Sequence, residues 1–314
     1  MSDKRPIVVL TGPTAVGKTE LSIQLAKAIN GEIISADSMQ VYKKMDIGTA
    51  KIRPEEMMGV KHYLIDEFEP DEEFNVMKFK EYTDKYMNEI YEKGKIPILV
   101  GGTGFYIQAV LKDVEFKEEE SSDIRKELEE FANVHGPQAL HERLAQIDPK
   151  SAEVIHQNNV RRVIRAIEFY EQTGMKFSEH NENEKQKQSP FNYVYFVLNQ
   201  DRKILYDRIE KRIDIMMKDG LVEEVKSLIS QGYGRDLVSM QGLGYKEIVA
   251  YLEGKITLEE AVYILKRDTR HFAKRQITWF KRETDVTWLD KDIYKTSEEQ
   301  LAFCMEELKR KHIL

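Results

Sequence analysis

A glycine-rich segment near the start of this 314-residue chain carries its clearest chemical signature. The segment consists of Gly12, Pro13, Thr14, Ala15, Val16, Gly17, Lys18 and Thr19, and it fits the pattern Gly-x-x-x-x-Gly-Lys-Ser/Thr. The glycines let backbone amides surround phosphate oxygens, Lys18 adds a point charge, and the Thr19 hydroxyl can bind Mg²⁺. We therefore predict a phosphate site, which would suit ATP, GTP or the diphosphate of another substrate.

The elements around this phosphate loop agree with the motif. Residues 7–10 are apolar and predict a buried strand, and an amphipathic helical pattern follows the loop. Asp37 comes after the next predicted strand, residues 32–36, so in a parallel sheet it would lie at the same edge as the loop. Asp37 is either a carboxylate that caps a turn or helix, or a group that contacts the bound ligand.

A second glycine cluster follows the strand predicted for residues 96–100. Gly101, Gly102 and Gly104 surround Thr103. Glycines at a strand end favour the close approach of backbone to a ligand, whereas a plain tight turn would not need the threonine. We predict that Thr103 lies at the same edge of the sheet as the phosphate loop.

Two arginines lie four residues apart in the helix predicted for residues 204–217. Arg208 and Arg212 could form surface salt bridges to Asp207 and Asp214, which is a common arrangement. They could instead close over a diphosphate, because guanidinium groups match phosphate geometry. In a chain that contains a phosphate loop, we favour the second interpretation.

The last long helical pattern starts at a capping box at Thr257 and continues to about residue 282. Its apolar stripe is predicted to contain Ala261, Leu265, Phe272 and Trp279. The opposite side contains Arg267, Arg270, Lys274 and Lys281. Arg275 and Arg282 flank it, and we call these six cations the basic face. Residues 269–282 include no acid, although a solvated face usually mixes acids with bases. The basic face thus predicts a nucleic-acid partner.

The segment between the predicted strands at 96–100 and 193–198 has a different character. It begins with the acidic run 118–123 and continues with predicted helices at 124–134, 137–146 and 159–172 and a polar stretch at 181–189. We predict an α/β fold: a P-loop-type parallel sheet flanked by helices, with an inserted all-helical subdomain. The predicted core comprises residues 1–114 and 193–314, and the helical subdomain comprises residues 115–192.

Composition restricts the class of protein further. The net charge of −7 argues against general coating of nucleic acid, so that a local basic surface matters more than the total. A single cysteine, Cys304, excludes an internal disulfide and fits a reducing compartment. No apolar run reaches the roughly 18 residues of a membrane span, and the N-terminus does not resemble a signal peptide. We expect a cytoplasmic protein without a membrane partner.

Together these segments resemble the tRNA dimethylallyltransferase family. Members transfer a dimethylallyl group from dimethylallyl diphosphate to N6 of adenosine 37, next to the anticodon. The resemblance is carried by residues 12–19, 37–42, 101–106, 159–168 and 272–280, and it spans most of the chain. The acidic stretch near 118–123 and the tail after Trp288 match least, and no function is assigned to them.

This resemblance implies a role for each part of the phosphate-loop edge. The loop would hold the diphosphate with Mg²⁺ on Thr19, and an arginine, Arg208 or Arg212, would stabilise the leaving group. Asp37 would accept the proton of the adenine amine, and Thr103 would lie at the entrance shared by the two substrates. The expected catalytic residues are Asp37, Thr103 and Arg212.

The resemblance also implies contacts with the anticodon stem-loop of tRNA, and we expect the protein to act as a monomer. The expected contact residues are Asp37, Ser38, Met39, Gln40, Thr103, Arg125, Arg161, Arg162, Val163, Ile164, Arg165, Arg270, Lys274 and Arg275.

Two other classes of protein remain possible from the residues alone. A small-molecule or nucleotide kinase would use the phosphate loop and a following acid for ATP, but it leaves the basic face unexplained. A non-catalytic P-loop protein that binds RNA would explain the basic face, but not Asp37 and Thr103 beside the loop.

Overall fold

The computed structural model describes residues 4–114 and 123–314. The chain divides into two compact units, one formed by Met1–Leu111 and Pro190–Leu314 and the other by Lys112–Ser189. We call them the core unit and the helical unit. These ranges differ slightly from the predicted boundaries at 115 and 192. Most of the predicted acidic run, residues 118–122, lies outside the described residues.

The core unit is built on a parallel six-stranded sheet with the strand order β3-β2-β4-β1-β5-β6. The strands are β1 Pro6–Thr11, β2 Gly31–Ala36, β3 His62–Tyr63, β4 Ile96–Gly101, β5 Asn192–Asn199 and β6 Val286–Asp290. Because β1 lies between β4 and β5, its residues Ile7 to Leu10 are fully buried, which is why this strand is apolar throughout. The order brings the carboxyl ends of β1, β2 and β4 side by side.

Helices complete both units. They are α1 Lys18–Ala28, α2 Val76–Glu92, α3 Gly104–Leu111, α4 Asp123–Ile147, α5 Pro149–Val154, α6 Val160–Thr173, α7 Phe177–Gln186, α8 Arg202–Lys218, α9 Leu221–Ser230, α10 Tyr245–Leu252, α11 Leu258–Phe280 and α12 Ser297–Arg310. In the core unit α1 packs on β1, β2 and β4, α2 packs on β2 and β4, and α12 packs on β5. None of the described helices is long and apolar enough to span a membrane.

The buried side of α11 differs from its predicted stripe. Ala261 and Leu265 are buried as expected, but further along the helix the buried residues are Ala273, Gln276 and Phe280. The prediction continued in steps of seven residues, to Phe272 and Trp279, and both of these are only partly buried. An α-helix drifts by about 20° for every seven residues, and over three turns this drift moves the core-facing stripe to neighbouring positions.

The helical unit has its own small core, which includes Leu128, Leu140 and Ile167. Its longest helix, α4, is interrupted at Gly136, which has a φ of 84° and precedes a proline. The polar stretch predicted for 181–189 includes the end of α7, a helix that was not predicted and that extends to Gln186. The first turn of α7 is fixed by a hydrogen bond from the Ser178 amide to Asp148 Oδ2 at 2.8 Å, a contact that polar composition could not reveal.

Candidate active site

The phosphate loop connects β1 to α1 in a conformation that needs its glycines. Gly12 and Gly17 have φ values of 147° and 99°, and a Cβ on Gly12 would lie 2.7 Å from the Leu198 carbonyl oxygen. Ala15 also adopts a positive φ, 64°. The loop leads directly into α1, whose first amides have no acceptor within the helix. The unpaired amides and the positive end of the helix dipole can together bind an anion.

Lys18 lies against the loop. Its Nζ donates hydrogen bonds to the carbonyl oxygens of Gly12 and Pro13, both at 2.9 Å. Burial lowers the pKa of Lys18 to about 8, and the positive charge of Arg212 adds to this lowering while Asp37 opposes it. The ammonium is thus partly desolvated, and an anion in the loop would stabilise its charged form.

Asp37 follows β2 and has two distinct oxygens. Oδ1 accepts hydrogen bonds from the amides of Met39 at 2.9 Å and Gln40 at 3.3 Å, so Asp37 does cap a turn. In the part of the chain that the structure describes, no donor binds Oδ2. The negative charge of Asp37 opposes the lowering of the pKa values of Lys18 and Arg212 that burial causes, so the carboxylate interacts electrostatically with both cations. The two interpretations of Asp37 are therefore compatible: one oxygen caps the turn, and the other can face a ligand.

Thr103 lies beside Asp37. Its amide donates to the carbonyl oxygen of Ala36 at 3.2 Å, directly before Asp37 in the chain. The ends of β2 and β4 are so close that a Cβ on Gly101 would lie 2.1 Å from the same oxygen. The glycine cluster thus permits the close approach of two strands, and it places Thr103 at the edge of the sheet that also carries Asp37.

Gln276 of α11 joins the two glycine-containing loops, and its role was missed by sequence reasoning. Its Oε1 accepts the Thr14 amide at 2.9 Å, and its Nε2 donates to the Gly102 carbonyl oxygen at 3.0 Å. The side chain is buried. A glutamine in the core-facing stripe of an amphipathic helix is the signal that could have identified it, because buried amides need partners.

We expect Gln276→Leu to lower the free energy of unfolding by about 2 kcal/mol, because the Thr14 amide and the Gly102 carbonyl lose their partner. Denaturant unfolding would measure the change. Gln231→Leu, at an exposed glutamine of the core unit, is the control. If both variants lose the same small amount, Gln276 does not hold the loops together.

Arg208 and Arg212 of α8 both lie at the phosphate loop. A guanidinium nitrogen of Arg208 is 3.3 Å from the position that a Cβ on Gly17 would occupy. Burial lowers the pKa of Arg212, with a smaller contribution from Arg208, while Asp37 raises it. Arg212 is half-buried whereas Arg208 is exposed, and Arg212 interacts electrostatically with Asp37.

Among the described residues, neither arginine forms the salt bridges along α8 that were the alternative interpretation. Asp214 pairs with Lys266 at 2.6 Å, and Arg208 donates to Gln200 at 3.5 Å. The position of both arginines beside the loop favours the phosphate interpretation.

Lys291, directly after β6, is another cation that reaches the phosphate loop. Its Nζ lies 3.3 Å from the carbonyl oxygen of Val16. Sequence reasoning missed this residue because it lies in the tail after Trp288, where the resemblance is weakest. No local pattern in that segment indicates its position.

The basic face of α11 is only partly free for a ligand. Arg270 pairs with Glu210 of α8 at 2.5 Å, and Arg267 with Asp268 at 2.8 Å. Residues 269–282 include no acid, but Glu210 of the neighbouring helix α8 supplies one. Within residues 4–114 and 123–314 no carboxylate pairs with the exposed Lys274, Arg275, Lys281 and Arg282.

Two grooves run beside these unpaired cations. One has a volume of about 600 Å³ and includes Lys274, Lys281, Tyr206 and Trp288 in its lining. The other, about 460 Å³, includes Lys274 and Arg275. Cations interleaved with aromatic rings are the surface chemistry that single-stranded nucleic acid binds.

Several residues predicted to contact tRNA have structural roles. Val163 and Ile164 are buried in the core of the helical unit, which corrects the expectation that their side chains contact tRNA. Arg125 pairs with the buried Glu168 at 2.6 Å. Gln40 donates to the carbonyl oxygens of Thr49 and Ala50, and Met39 packs at Gly242.

The remaining predicted residues leave their side chains more accessible. Arg161 and Arg162 are exposed on α6, Arg165 is half-buried, and Ser38 is half-buried beside Asp37. The accessible candidates are therefore the arginines at the start of α6 and the unpaired cations of α11.

Thr19 is the residue that could hold a metal ion. It is exposed in the first turn of α1, at the mouth of the phosphate loop. Nowhere in the described ranges do three or more His, Cys, Asp or Glu residues gather as a metal site. One hydroxyl still fits Mg²⁺, because this ion keeps several waters and takes its other ligands from substrate phosphates.

The chain is similar to known proteins over almost its full length. Residues 40–283 match the family described as IPP transferase. The chain is 63% identical over 311 residues to the tRNA dimethylallyltransferase of Lachnoclostridium phytofermentans, with 99% of each chain covered. It is 53% identical over 293 residues to the enzyme of that name from Acetivibrio thermocellus, with 93% of this chain and 94% of the relative covered.

Solved structures give the same result. The full-length tRNA isopentenylpyrophosphate transferase from Bacillus halodurans has a TM-score of 0.74 and 47% identity, with 99% of this chain and 98% of that chain covered. A eukaryotic dimethylallyltransferase acting on tRNA has a TM-score of 0.82 and 30% identity, with 98% and 80% covered. The likeness includes the sheet as well as the surrounding helices.

Proposed function

The chain belongs to the IPP transferase family, and on that premise we propose that it is a tRNA dimethylallyltransferase. It transfers the dimethylallyl group of dimethylallyl diphosphate to N6 of adenosine 37, next to the anticodon, and releases diphosphate. The observation that carries this proposal is that the Asp37 carboxylate interacts electrostatically with Lys18 of the phosphate loop and with Arg212 of α8. A base, an anion site and cations are thus gathered at one edge of the sheet.

The phosphate loop acts as the site of the leaving group. Transfer breaks the bond between the allylic carbon and a diphosphate oxygen, and the electron pair of this bond stays on the oxygen. Lys18, Arg212 and the amides at the start of α1 stabilise the negative charge that develops there. These groups are already in position around the loop, so little reorganisation is needed during the reaction.

Asp37 accepts the proton of the attacking amine. The N6 lone pair is delocalised into the adenine ring, so N6 is a weak nucleophile until a base accepts its hydrogen bond and then its proton. Oδ2 of Asp37 is the oxygen for this role, because Oδ1 is already bonded to the amides of Met39 and Gln40. Thr103 lies beside this carboxylate, on the side from which adenine enters.

Thr19 would hold Mg²⁺ together with diphosphate oxygens and water. The ion supplies additional positive charge for the leaving group when it is bound. Lys18 and Arg212 bind and orient the same diphosphate from the protein side.

The tRNA partner fits the unpaired cations of α11 and the exposed arginines of α6. Adenine must leave its stack to reach Asp37, because the carboxylate lies at the sheet edge next to the phosphate loop. Contacts to the tRNA backbone by Lys274 and Arg275 would compensate part of that unstacking cost.

The proposal is tested by incubating the protein with unmodified tRNA, radiolabelled dimethylallyl diphosphate and Mg²⁺, beside a parallel assay of ATP hydrolysis. We expect label to enter tRNA while ATP is left intact. Brisk ATP turnover without label transfer would contradict the proposal and favour a kinase. RNA binding with neither activity would favour a non-catalytic RNA-binding protein.

The double variant Lys274→Gln and Arg275→Gln should weaken tRNA binding and reduce its salt dependence. We expect the slope of log affinity against log salt to fall by about one unit for each tRNA phosphate that is no longer neutralised. Filter binding at several salt concentrations would measure it. Lys266→Gln is the matched control on the same helix, because Lys266 is paired with Asp214. An unchanged slope in the double variant would mean that these cations face solvent only.

A further inference from the structure

Lys291 is fixed in place by the edge of the sheet. Its amide donates to the carbonyl oxygen of Asn199 at the end of β5 at 2.9 Å, which continues the pairing of β5 with β6. From there the side chain extends to the phosphate loop, where Nζ lies 3.3 Å from the Val16 carbonyl oxygen. A Cβ on Gly17 would lie 2.9 Å from the same nitrogen. The ammonium therefore lies against the loop at Val16 and Gly17.

Lys291 shares this position with a second cation. A guanidinium nitrogen of Arg208 lies 3.3 Å from the same hypothetical Cβ of Gly17. Burial lowers the pKa of Lys291, and the charge of Arg208 lowers it further, while Glu20 opposes both. The Glu20 carboxylate itself accepts a hydrogen bond from Ser297 at 2.8 Å. In the described part of the chain no carboxylate lies within salt-bridge distance of Lys291.

The hydrogen bond from Lys291 to Val16 does not account for the position of the ammonium group. Such a group has three donors, and a bond of 3.3 Å to a single carbonyl uses one of them weakly. Lys18, by comparison, makes two bonds of 2.9 Å to the same loop. Two cations beside each other, of which Lys291 is half-buried, repel each other until an anion binds between them.

We infer that Lys291 binds the donor diphosphate, together with Arg208, from the β6 side of the phosphate loop. The inference rests on the proposed function and extends it, because it adds a binding residue from the C-terminal segment. Lys18 and Arg212 hold the diphosphate on the side of Asp37, while Lys291 and Arg208 hold it at Gly17. Loop amides and cations then surround the leaving group from two directions.

The test is titration calorimetry of the full-length protein with inorganic pyrophosphate and Mg²⁺, at low and high salt. We expect Lys291→Gln to weaken pyrophosphate binding by about tenfold at low salt, which is the range for a charge-assisted hydrogen bond. The deficit should shrink at high salt, because ions screen the interaction that the variant removes. Lys291→Arg should restore most of the affinity, since it restores the charge.

The control is Lys295→Gln, at an exposed lysine of the same segment, which should bind pyrophosphate like the wild type. Equal affinity of Lys291→Gln and wild type would overturn the inference while leaving the proposed function intact. The inference would also be overturned if Lys291→Gln lost the same pyrophosphate affinity at all salt concentrations and Lys291→Arg did not regain it. Lys291 would then only hold the loop in its conformation. If the wild-type protein itself fails to bind pyrophosphate, the inference and the proposed function both fail.

Discussion

Replacing Asp37 by asparagine should lower kcat for dimethylallyl transfer by about a thousandfold, while the Kd for tRNA changes by no more than about twofold. Asparagine keeps an oxygen for the amides of Met39 and Gln40, which Oδ1 binds at 2.9 and 3.3 Å. It removes the negative charge and the basic oxygen that would take the N6 proton. Single-turnover transfer with saturating tRNA, together with filter binding, separates the two quantities.

Two further variants separate the role of Asp37 as a base from its role as a turn cap and from the loss of any surface carboxylate. Asp37→Ala also removes the turn cap, so its additional loss of stability measures the cap, at about 1 kcal/mol. Asp71→Asn, at an exposed carboxylate on the connection before α2, should leave kcat unchanged. A kcat for Asp37→Asn close to that of wild type would remove Asp37 from the mechanism and leave it only as a turn cap.

Replacing Lys18 by methionine should lower kcat/KM for dimethylallyl diphosphate by a factor of about a hundred to a thousand. Methionine retains an unbranched apolar stem but lacks the charge that stabilises the leaving diphosphate. The affinity for tRNA should stay the same, because Lys18 is bonded to the carbonyl oxygens of Gly12 and Pro13 at the phosphate loop. Steady-state kinetics with varied donor would measure the effect.

The effect of Lys18 should also depend on pH. Because burial lowers its pKa to about 8, the free protein carries this charge below that pH and loses it above. The affinity advantage of wild type over Lys18→Met for pyrophosphate should thus be complete below pH 8 and decrease as the pH rises through it. An advantage that is constant from pH 7 to about pH 10, near the ordinary lysine pKa, would show that burial does not lower the pKa of Lys18 in this way.

The sequence predicted the parts of the site that depend on local chemistry. The phosphate loop needs glycines at fixed positions, and Gly12 and Gly17 indeed adopt positive φ angles. Asp37 and Thr103 were predicted to share one edge because parallel strands end on the same side of a sheet, and the Thr103 amide bonds to the residue before Asp37. Local motifs and sheet topology together were enough for this.

The parts that sequence reasoning missed depend on contacts between distant elements. Gln276 joins Thr14 to Gly102 across separations of 262 and 174 residues, and no local pattern encodes such a bridge. Arg270 was assigned to tRNA because residues 269–282 include no acid, but its partner Glu210 is on α8. Lys291 reaches Val16 only because β6 closes the edge of the sheet.

The fold of the helical unit shows the same limit at the level of secondary structure. Its composition predicted an inserted helical subdomain, and Leu140 and Ile167 lie in the core of this unit. α7 was not among the predicted helices. Phe177 at its start faces a hydrophobic neighbour, Phe169, with 5.7 Å between ring centroids, but the residues after Phe177 are polar. A helix that is anchored at one end leaves little hydrophobic periodicity in the sequence.

The central claim is that the phosphate loop holds the diphosphate of a prenyl donor and not a nucleoside triphosphate. Displacement of labelled pyrophosphate from the wild-type protein, by dimethylallyl diphosphate or by ATP in the presence of Mg²⁺, tests it most directly. We expect dimethylallyl diphosphate to displace the label at a concentration at least about tenfold lower than ATP. Displacement by ATP at an equal or lower concentration would contradict the claim and make the loop a nucleotide site.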